Sequence, residues 1–147
     1  MWADPAVVKH LSGSPSTEQA TWFRLLRYAG LWPLLGYGYW AVEEQSSGTF
    51  VGDVGFADFK RDIEPAVRNV PELGWVLAAA MHGKGYATEA VRAAIEWASQ
   101  NFEDPRIVCI IAPENSASIR VAQKAGFLEY ARTAFMGDPT LMFERLV

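Results

Sequence analysis

Residues 74–98 read GWVLAAAMHGKGYATEAVRAAIEWA: an apolar run, the turn-like HGKGYAT, then an alanine-rich segment with evenly spaced charges. From Gly85 onward Ala87, Val91, Ile95, Ala98 and Phe102 share one stripe while Glu89, Arg92, Glu96 and Gln100 face away, which predicts a helix of about four turns. Upstream, PELGWVLAA reads as a strand whose apolar run suits burial on both faces, and downstream RIVCIIA reads as another. Strand, helix and strand within about forty residues form a βαβ unit, so the two strands are expected to be parallel with a right-handed crossover.

In such a unit the helix starts beside the carboxyl end of the first strand, where its leading N–H groups lack partners and its dipole is positive. That end favours an anion, phosphate above all. Gly83 and Gly85 let the backbone curl and approach a ligand, and Lys84 adds positive charge, so residues 83–88 are expected to cradle a diphosphate without a metal. Taken alone, HGKGYAT is equally compatible with a glycine-rich turn that only starts a helix. It lacks the third glycine of a dinucleotide fingerprint, and the chain has no GxxxxGK[ST] motif.

The rest of the chain reads outward from this unit. SPSTEQATWFRLLRYAG carries helix punctuation: Ser16 and Gln19 fit a capping box, Trp22, Leu25, Leu26 and Ala29 form a stripe, and Gly30 suits the exit. GYGYWAVEE and GTFVGDVGFADF are strand-like and joined by QSSG as a hairpin, while KRDIEPAVRNV reads as a loop. PENSASIRVAQKAGF predicts a second helix, capped by Asn115 or Ser116 and stopped at Gly126. LEYART and TLMFERLV predict a closing antiparallel pair around GDP. No repeat, low-complexity segment or linker is visible, and residues 1–147 are expected to form a single domain.

Half of the 147 residues are apolar and 13% aromatic, which excludes a disordered chain. No apolar run approaches the roughly 20 residues of a membrane span, and Asp4, Pro5 and Lys9 interrupt the start where a signal peptide needs an apolar core, so a cytoplasmic protein without a membrane partner is expected. A net charge of −4 argues against nucleic acid as a partner. The single cysteine, Cys109, excludes an internal disulfide, and with only His10 and His82 present no metal site is expected. Cys109 is read as buried packing, not as a nucleophile. Trp22, Tyr28, Trp32, Tyr37 and Trp40 suit either an acceptor pocket or core packing.

GWVLAAAMHGKGYATEAV followed by PENSASIRVAQKAGF resembles the GCN5-related N-acetyltransferase (GNAT) family, in its RimJ/RimL-like branch, over most of the chain from GYGYWAVEEQSSGTFVGDVGF to TLMFERLV. The family signature is Arg or Gln, two residues, Gly, one residue, then Gly or Ala. His82 occupies the first position, Gly85 the invariant glycine and Ala87 the last. Asn115, Ser118, Lys124, Gly126 and Phe127 fall where the family has its second conserved helix. The resemblance implies a mixed α/β sheet around the βαβ unit and acetyl-CoA as cosubstrate. It implies acetyl transfer to an amine acceptor, either a protein N-terminus or a small molecule, and the closing strands are compatible with a homodimer. The implied cofactor residues are Val76, Leu77, His82, Gly83, Lys84, Gly85, Tyr86, Ala87, Thr88, Asn115 and Ser118. Two departures stand out: the family's usual first strand has no counterpart, and Ala122 stands where many relatives have a tyrosine that protonates the leaving thiolate, with Ser118 the nearest alternative.

An attacking amine must be neutral. A lysine of pKa about 10.4 costs about 4 kcal/mol to deprotonate at pH 7.4, whereas an α-amine near 7.8 costs under about 1. Glu72 matches the family's common base, competing with a reading as a solvated charge at the start of its strand. The family pattern points to the Val76 N–H as oxyanion donor and to Leu77 as facing the pantetheine. Two rival expectations remain. A non-catalytic acyl-CoA-binding module predicts that Glu72→Gln changes only affinity, and a nucleotide-binding protein predicts competition by ATP.

Overall fold

A computed structural model describes residues 1–104 and 106–147. Its centre is one six-stranded mixed sheet in the order β1-β2-β3-β4-β6-β5, formed by β1 (Tyr39–Glu43), β2 (Phe50–Ala57), β3 (Glu72–Leu77), β4 (Arg106–Ile111), β5 (Leu128–Phe135) and β6 (Asp138–Leu146). The helices are α1 (Pro5–Val8), α2 (Glu18–Leu35), α3 (Tyr86–Asn101) and α4 (Ser116–Lys124). Strands β3 and β4 are parallel and every other pair is antiparallel. The expected βαβ unit is therefore present, with α3 as its crossover. No strand precedes β1 among the described residues, which leaves β1 as a free edge. No helix among them is long and apolar enough to cross a membrane.

Helix α3 buries Val91, Ala94, Ile95 and Ala98 against Val54, Phe56 and Leu73 of the sheet and Ile107, Cys109 and Ile111 of β4. Four side chains at that spacing form one apolar stripe, and small alanines among them let the helix approach the sheet closely. At its far end Trp97 and Phe102 join Trp32, Tyr37, Trp40 and Phe56 in a cluster of mostly edge-to-face rings. Most of the early aromatics thus serve packing, and Cys109 is buried as expected, with its thiol pushed up by desolvation. On the opposite face the 58–71 loop is a packed cover. Asp58 accepts from the backbone of Lys60 and Asn69, while Ile63 and Val67 bury against Val108 and Met142.

The structure corrects two local readings. Helix α2 is capped by Thr17, whose hydroxyl accepts from the Ala20 amide, and it runs past Gly30 to a left-handed Gly36. Its expected apolar stripe faces outward, with Trp22, Leu25 and Leu26 each about half exposed, while Arg24, Tyr28, Leu31 and Trp32 turn inward. The reason is that the sheet beneath offers Tyr39 and Trp40 for ring packing and Asp53 for charge, so an amphipathic aromatic face won over an aliphatic one. The closing hairpin turns at Met136 and Gly137, both at positive φ, one step before the expected GDP. That is the torsion a two-residue hairpin demands.

Candidate active site

Among the described residues the β3–β4 ladder has a single rung, Glu72 opposite Val108, with the Val108 amide also bonding the Pro71 carbonyl at 3.1 Å. Beyond it β3 stays with β2 as far as Leu77, while β4 follows β6. The two strands therefore diverge, and a cleft of about 480 Å³ opens at their carboxyl ends. Its size is that of a small-molecule site. The walls are the end of β3 with Trp75, Val76 and Leu77, the turn before α3, the start of α4, and α1 with the residues after it.

Gly85 is the N-cap of α3 at φ +91° and supplies no side chain, and Gly83 sits at φ +75°. A Cβ on either would meet no protein atom within 4 Å, so the requirement is torsional and the space beside them is open. The first closed bond of the helix runs from the Glu89 amide to the Gly85 carbonyl at 3.1 Å, which leaves the amides of Tyr86, Ala87 and Thr88 without helical acceptors. Across the cleft Asn115 caps α4, accepting from the Ser118 amide at 3.1 Å, and Ser118 lies on the wall. Ala122 is fully buried in the core, whereas Val121 lines the cleft. Lys9, Arg120 and Lys124 against Glu114 give the rim a positive balance in an acidic chain.

Of the residues expected to form the site, Val76, Leu77, His82, Gly83, Gly85, Ala87, Thr88, Asn115 and Ser118 converge on this cleft. The His82 ring donates to the Leu77 carbonyl at 2.9 Å and so ties the turn to the strand end. Three residues lie off its walls: Glu72, Lys84 and Tyr86. Lys84 is exposed with its Nζ near Met81 Sδ, and the Tyr86 hydroxyl donates to the Glu44 carboxylate on the β1–β2 hairpin. Glu72 is not a solvated charge: it is buried, and both its oxygens accept from Arg61, at 2.7 Å from Nε and 2.8 Å from Nη2. Burial alone would lower Arg61, but the Glu72 bond and charge outweigh it and hold the guanidinium firmly protonated.

Gly74, Tyr39, Asp53, Trp2 and Arg24 escaped the sequence reading, whereas Tyr28 was among the aromatics expected in an acceptor pocket or in the core. Glu72, Gly74 and Val76 point to the same face of β3 by the period of two. The Tyr39 hydroxyl fills the place where a Cβ of Gly74 would lie, and Tyr28 stacks on Tyr39 with centroids 4.3 Å apart and planes 6° from parallel. Burial pushes both phenols well up, so both stay neutral hydrogen-bonding groups. Asp53, opposite Val76 in the register, accepts from Trp2 Nε1 at 3.2 Å, and Arg24 lies 3.6 Å over the Trp2 ring. Desolvation raises the Asp53 carboxyl, against the Trp2 bond and the Arg24 charge. A sequence signal existed only for Gly74, a glycine inside a strand pattern, which marks close approach by another group.

Residues 1–128 match the family described as acetyltransferase (GNAT) domain. The chain is 34% identical over 113 residues to YkkB, an uncharacterized protein of Bacillus subtilis (strain 168), and the match covers 75% of this chain and 63% of that protein. It superposes with a TM-score of 0.84 at 31% identity on a structure described as a GnaT-family acetyltransferase from Bordetella pertussis, covering 95% of this chain and 85% of that one. The aminoglycoside acetyltransferase AAC(6')-Ib, solved in complex with coenzyme A, shares the fold at 19% identity and TM-score 0.80, covering 99% and 84%.

Proposed function

The chain belongs to the GNAT acetyltransferase family, and from that premise we propose that it is an acetyl-CoA-dependent N-acetyltransferase acting on a primary amine. The observation that carries this reading is the divergence of β3 and β4 after one rung, which opens a cleft between a strand end and a helix N-terminus. Acetyl-CoA fits the groups present. The amides of Tyr86, Ala87 and Thr88 face a diphosphate without side-chain competition. The rim cations Lys9, Arg120 and Lys124 suit the remaining phosphate charge. Loss of ladder partners beyond Glu72 also frees β3 backbone groups for a ligand.

In the proposed reaction the amine nitrogen attacks the acetyl carbonyl, the C–S bond breaks, and CoA leaves as a thiolate. The register spends the expected Val76 N–H on the Asp53 carbonyl of β2 and turns the Trp75 and Leu77 N–H groups to the cleft side, so these two are the donors that stabilise the oxyanion. Ser118 donates to the departing sulfur, and Glu72 receives the amine proton directly or through water. The acceptor is a protein N-terminus or a small-molecule amine, in a RimJ/RimL-like, cytoplasmic role. The acidic and phenolic groups facing the side of Val76, among them Asp53 and Tyr39, suit an ammonium-bearing substrate.

A second reading, a CoA-binding module without turnover, is favoured by Glu72 being held by Arg61 and by the absence of a tyrosine at Ala122. Thermal unfolding with acetyl-CoA, CoA, ATP or NAD, each at about 1 mM, tests binding. A Kd of about 10 μM corresponds to about 2.7 kcal/mol and a rise of about 5–10 °C. Thiol release with an amine panel then separates the readings. Turnover that Glu72→Gln lowers at least tenfold, with the acetyl-CoA shift retained, supports the enzyme; binding without turnover supports the module. A shift with ATP and none with acetyl-CoA would sink both.

A further inference from the structure

A carboxylate that is to take a proton from an amine must first meet it, and the edge of Glu72 that an ammonium would use is taken. The side chain is buried and off the cleft walls, and its two oxygens accept from Arg61 Nε at 2.7 Å and Nη2 at 2.8 Å. Such a fork matches a carboxylate edge to edge. Arg61 itself is placed to give way. It belongs to the 58–71 loop, not to the sheet, and its side chain is 24% exposed where that of Glu72 is 9%. The loop has anchors of its own: Asp58 accepts from the amides of Lys60 and Asn69, and Ile63 and Val67 are buried. Parting the pair therefore removes one fastening and leaves the others. The guanidinium also has ring faces beside it, with the Phe59 and Phe135 centroids each 4.8 Å from Cζ. Gly74, the next residue on the Glu72 face of β3, has the Tyr39 hydroxyl against it, a phenol that burial keeps neutral and able to accept from a cation.

We infer that Arg61 is a resident stand-in for the acceptor: its guanidinium holds the cation place on Glu72, and a primary alkylammonium gains the carboxylate by exchanging with it. The inference rests on the reading of Glu72 as the proton acceptor of an N-acetyltransferase. Exchange keeps one positive charge beside a buried carboxylate throughout, whereas a neutral amine would leave Glu72 buried without a partner. The substrate class is therefore an alkylamine that arrives protonated, not a weakly basic arylamine. Within the new pair one N–H proton passes to a Glu72 oxygen, and the freed nitrogen lone pair attacks the acetyl carbon. The C–S bond then breaks with its electrons left on sulfur, and the second N–H proton ends on that thiolate as the amide forms. Arg61 is a positioning residue in this scheme: it sets which amines reach the base and takes no part in the bonds that change.

The probe is n-propylammonium chloride, with sodium chloride at the same concentration and aniline, uncharged at neutral pH, as controls. In proton–nitrogen correlation spectra of the parent, the Arg61 Nε–H signal, assigned by its loss in Arg61→Lys, should move saturably with n-propylammonium and stay in place with either control. Arg61→Met removes the competitor, so n-propylammonium should raise its Tm saturably with a Kd at least fivefold below that of the parent. The rise should vanish when Glu72→Gln is added to Arg61→Met. Arg61→Lys, which keeps a cation but not the fork, should fall between parent and Arg61→Met, and it carries the comparison should the methionine variant not fold. An Nε–H signal indifferent to n-propylammonium overturns the inference and leaves the pair as a fastening alone. So does equal affinity in parent and variants, a rise that persists with Glu72→Gln, or an equal response to aniline. None of these readouts needs acetyl transfer. A chain that exchanges the ammonium at Glu72 yet releases no thiol with any amine fails the enzyme reading, not the exchange.

Discussion

Replacing Arg61 with methionine isolates the Glu72–Arg61 pair. The Glu72 side chain is 9% exposed and that of Arg61 24%, and two bonds of 2.7 and 2.8 Å join them. Removing one partner of a buried pair typically costs about 3–5 kcal/mol, because the remaining charge loses its partner without regaining water. Water reaches the Arg61 side of this pair, which places Arg61→Met near the lower figure, about 3 kcal/mol. For a chain of 147 residues that corresponds to a fall in Tm of about 6–12 °C. Glu72→Gln should cost less, about 1–2 kcal/mol, since the Arg61 charge keeps some water on its exposed side and the rings of Phe59 and of Phe135 at the end of β5, each with its centroid 4.8 Å away. The double variant should cost less than the sum, with a coupling of about 1–3 kcal/mol. Urea denaturation of the four proteins at pH 7 measures all three quantities. An Arg61→Met cost below about 1 kcal/mol, or strict additivity, would refute the claim that this pair fastens the loop to the sheet.

Asp53→Asn tests the desolvated carboxylate. Because folding raises the Asp53 pKa, its contribution to stability is fully present below the usual carboxylate range and is lost as pH rises through the folded value. The variant, which keeps an acceptor for Trp2, should therefore exceed the parent in urea midpoint at pH 7, with the gap closing on acidification; a gap that widens in acid would show the sign to be wrong. Gly85→Ala should destabilise by about 1–2 kcal/mol through torsion alone and shrink the acetyl-CoA-induced rise in Tm. Unchanged stability and an unchanged ligand shift would remove the torsional argument.

The βαβ unit was legible because two local signals coincide there, a change of apolar period at Gly85 and glycines whose positive φ has no cheap substitute. Most of the cleft followed from it, since strand end, turn and capped α4 meet wherever that unit folds. The partner of Glu72 was not legible. Arg61 lies in a charged loop, and only the burial of Ile63 and Val67 some residues later folds that loop back over the sheet. The inward face of α2 was misread for a related reason. Periodicity finds apolar stripes, whereas here Arg24, Tyr28 and Trp32 follow the chemistry of a sheet that the helix sequence does not contain. Lys84 and Tyr86 show the same limit at the turn: adjacency fixed their backbone, not the direction of their side chains.

The lone rung between Glu72 and Val108 also divides the sheet into two three-stranded blocks, β1-β2-β3 and β4-β6-β5, each closed by long antiparallel ladders. Amides within either block exchange with solvent only when that block opens, while those bordering the seam have no such protection. Helix α3 and its core therefore act as the fastening between two semi-independent cooperative units. A ligand lying along the seam takes the part of an absent strand, so its binding energy couples the opening of one block to that of the other. Slowed amide exchange on binding would extend to strands the ligand never touches.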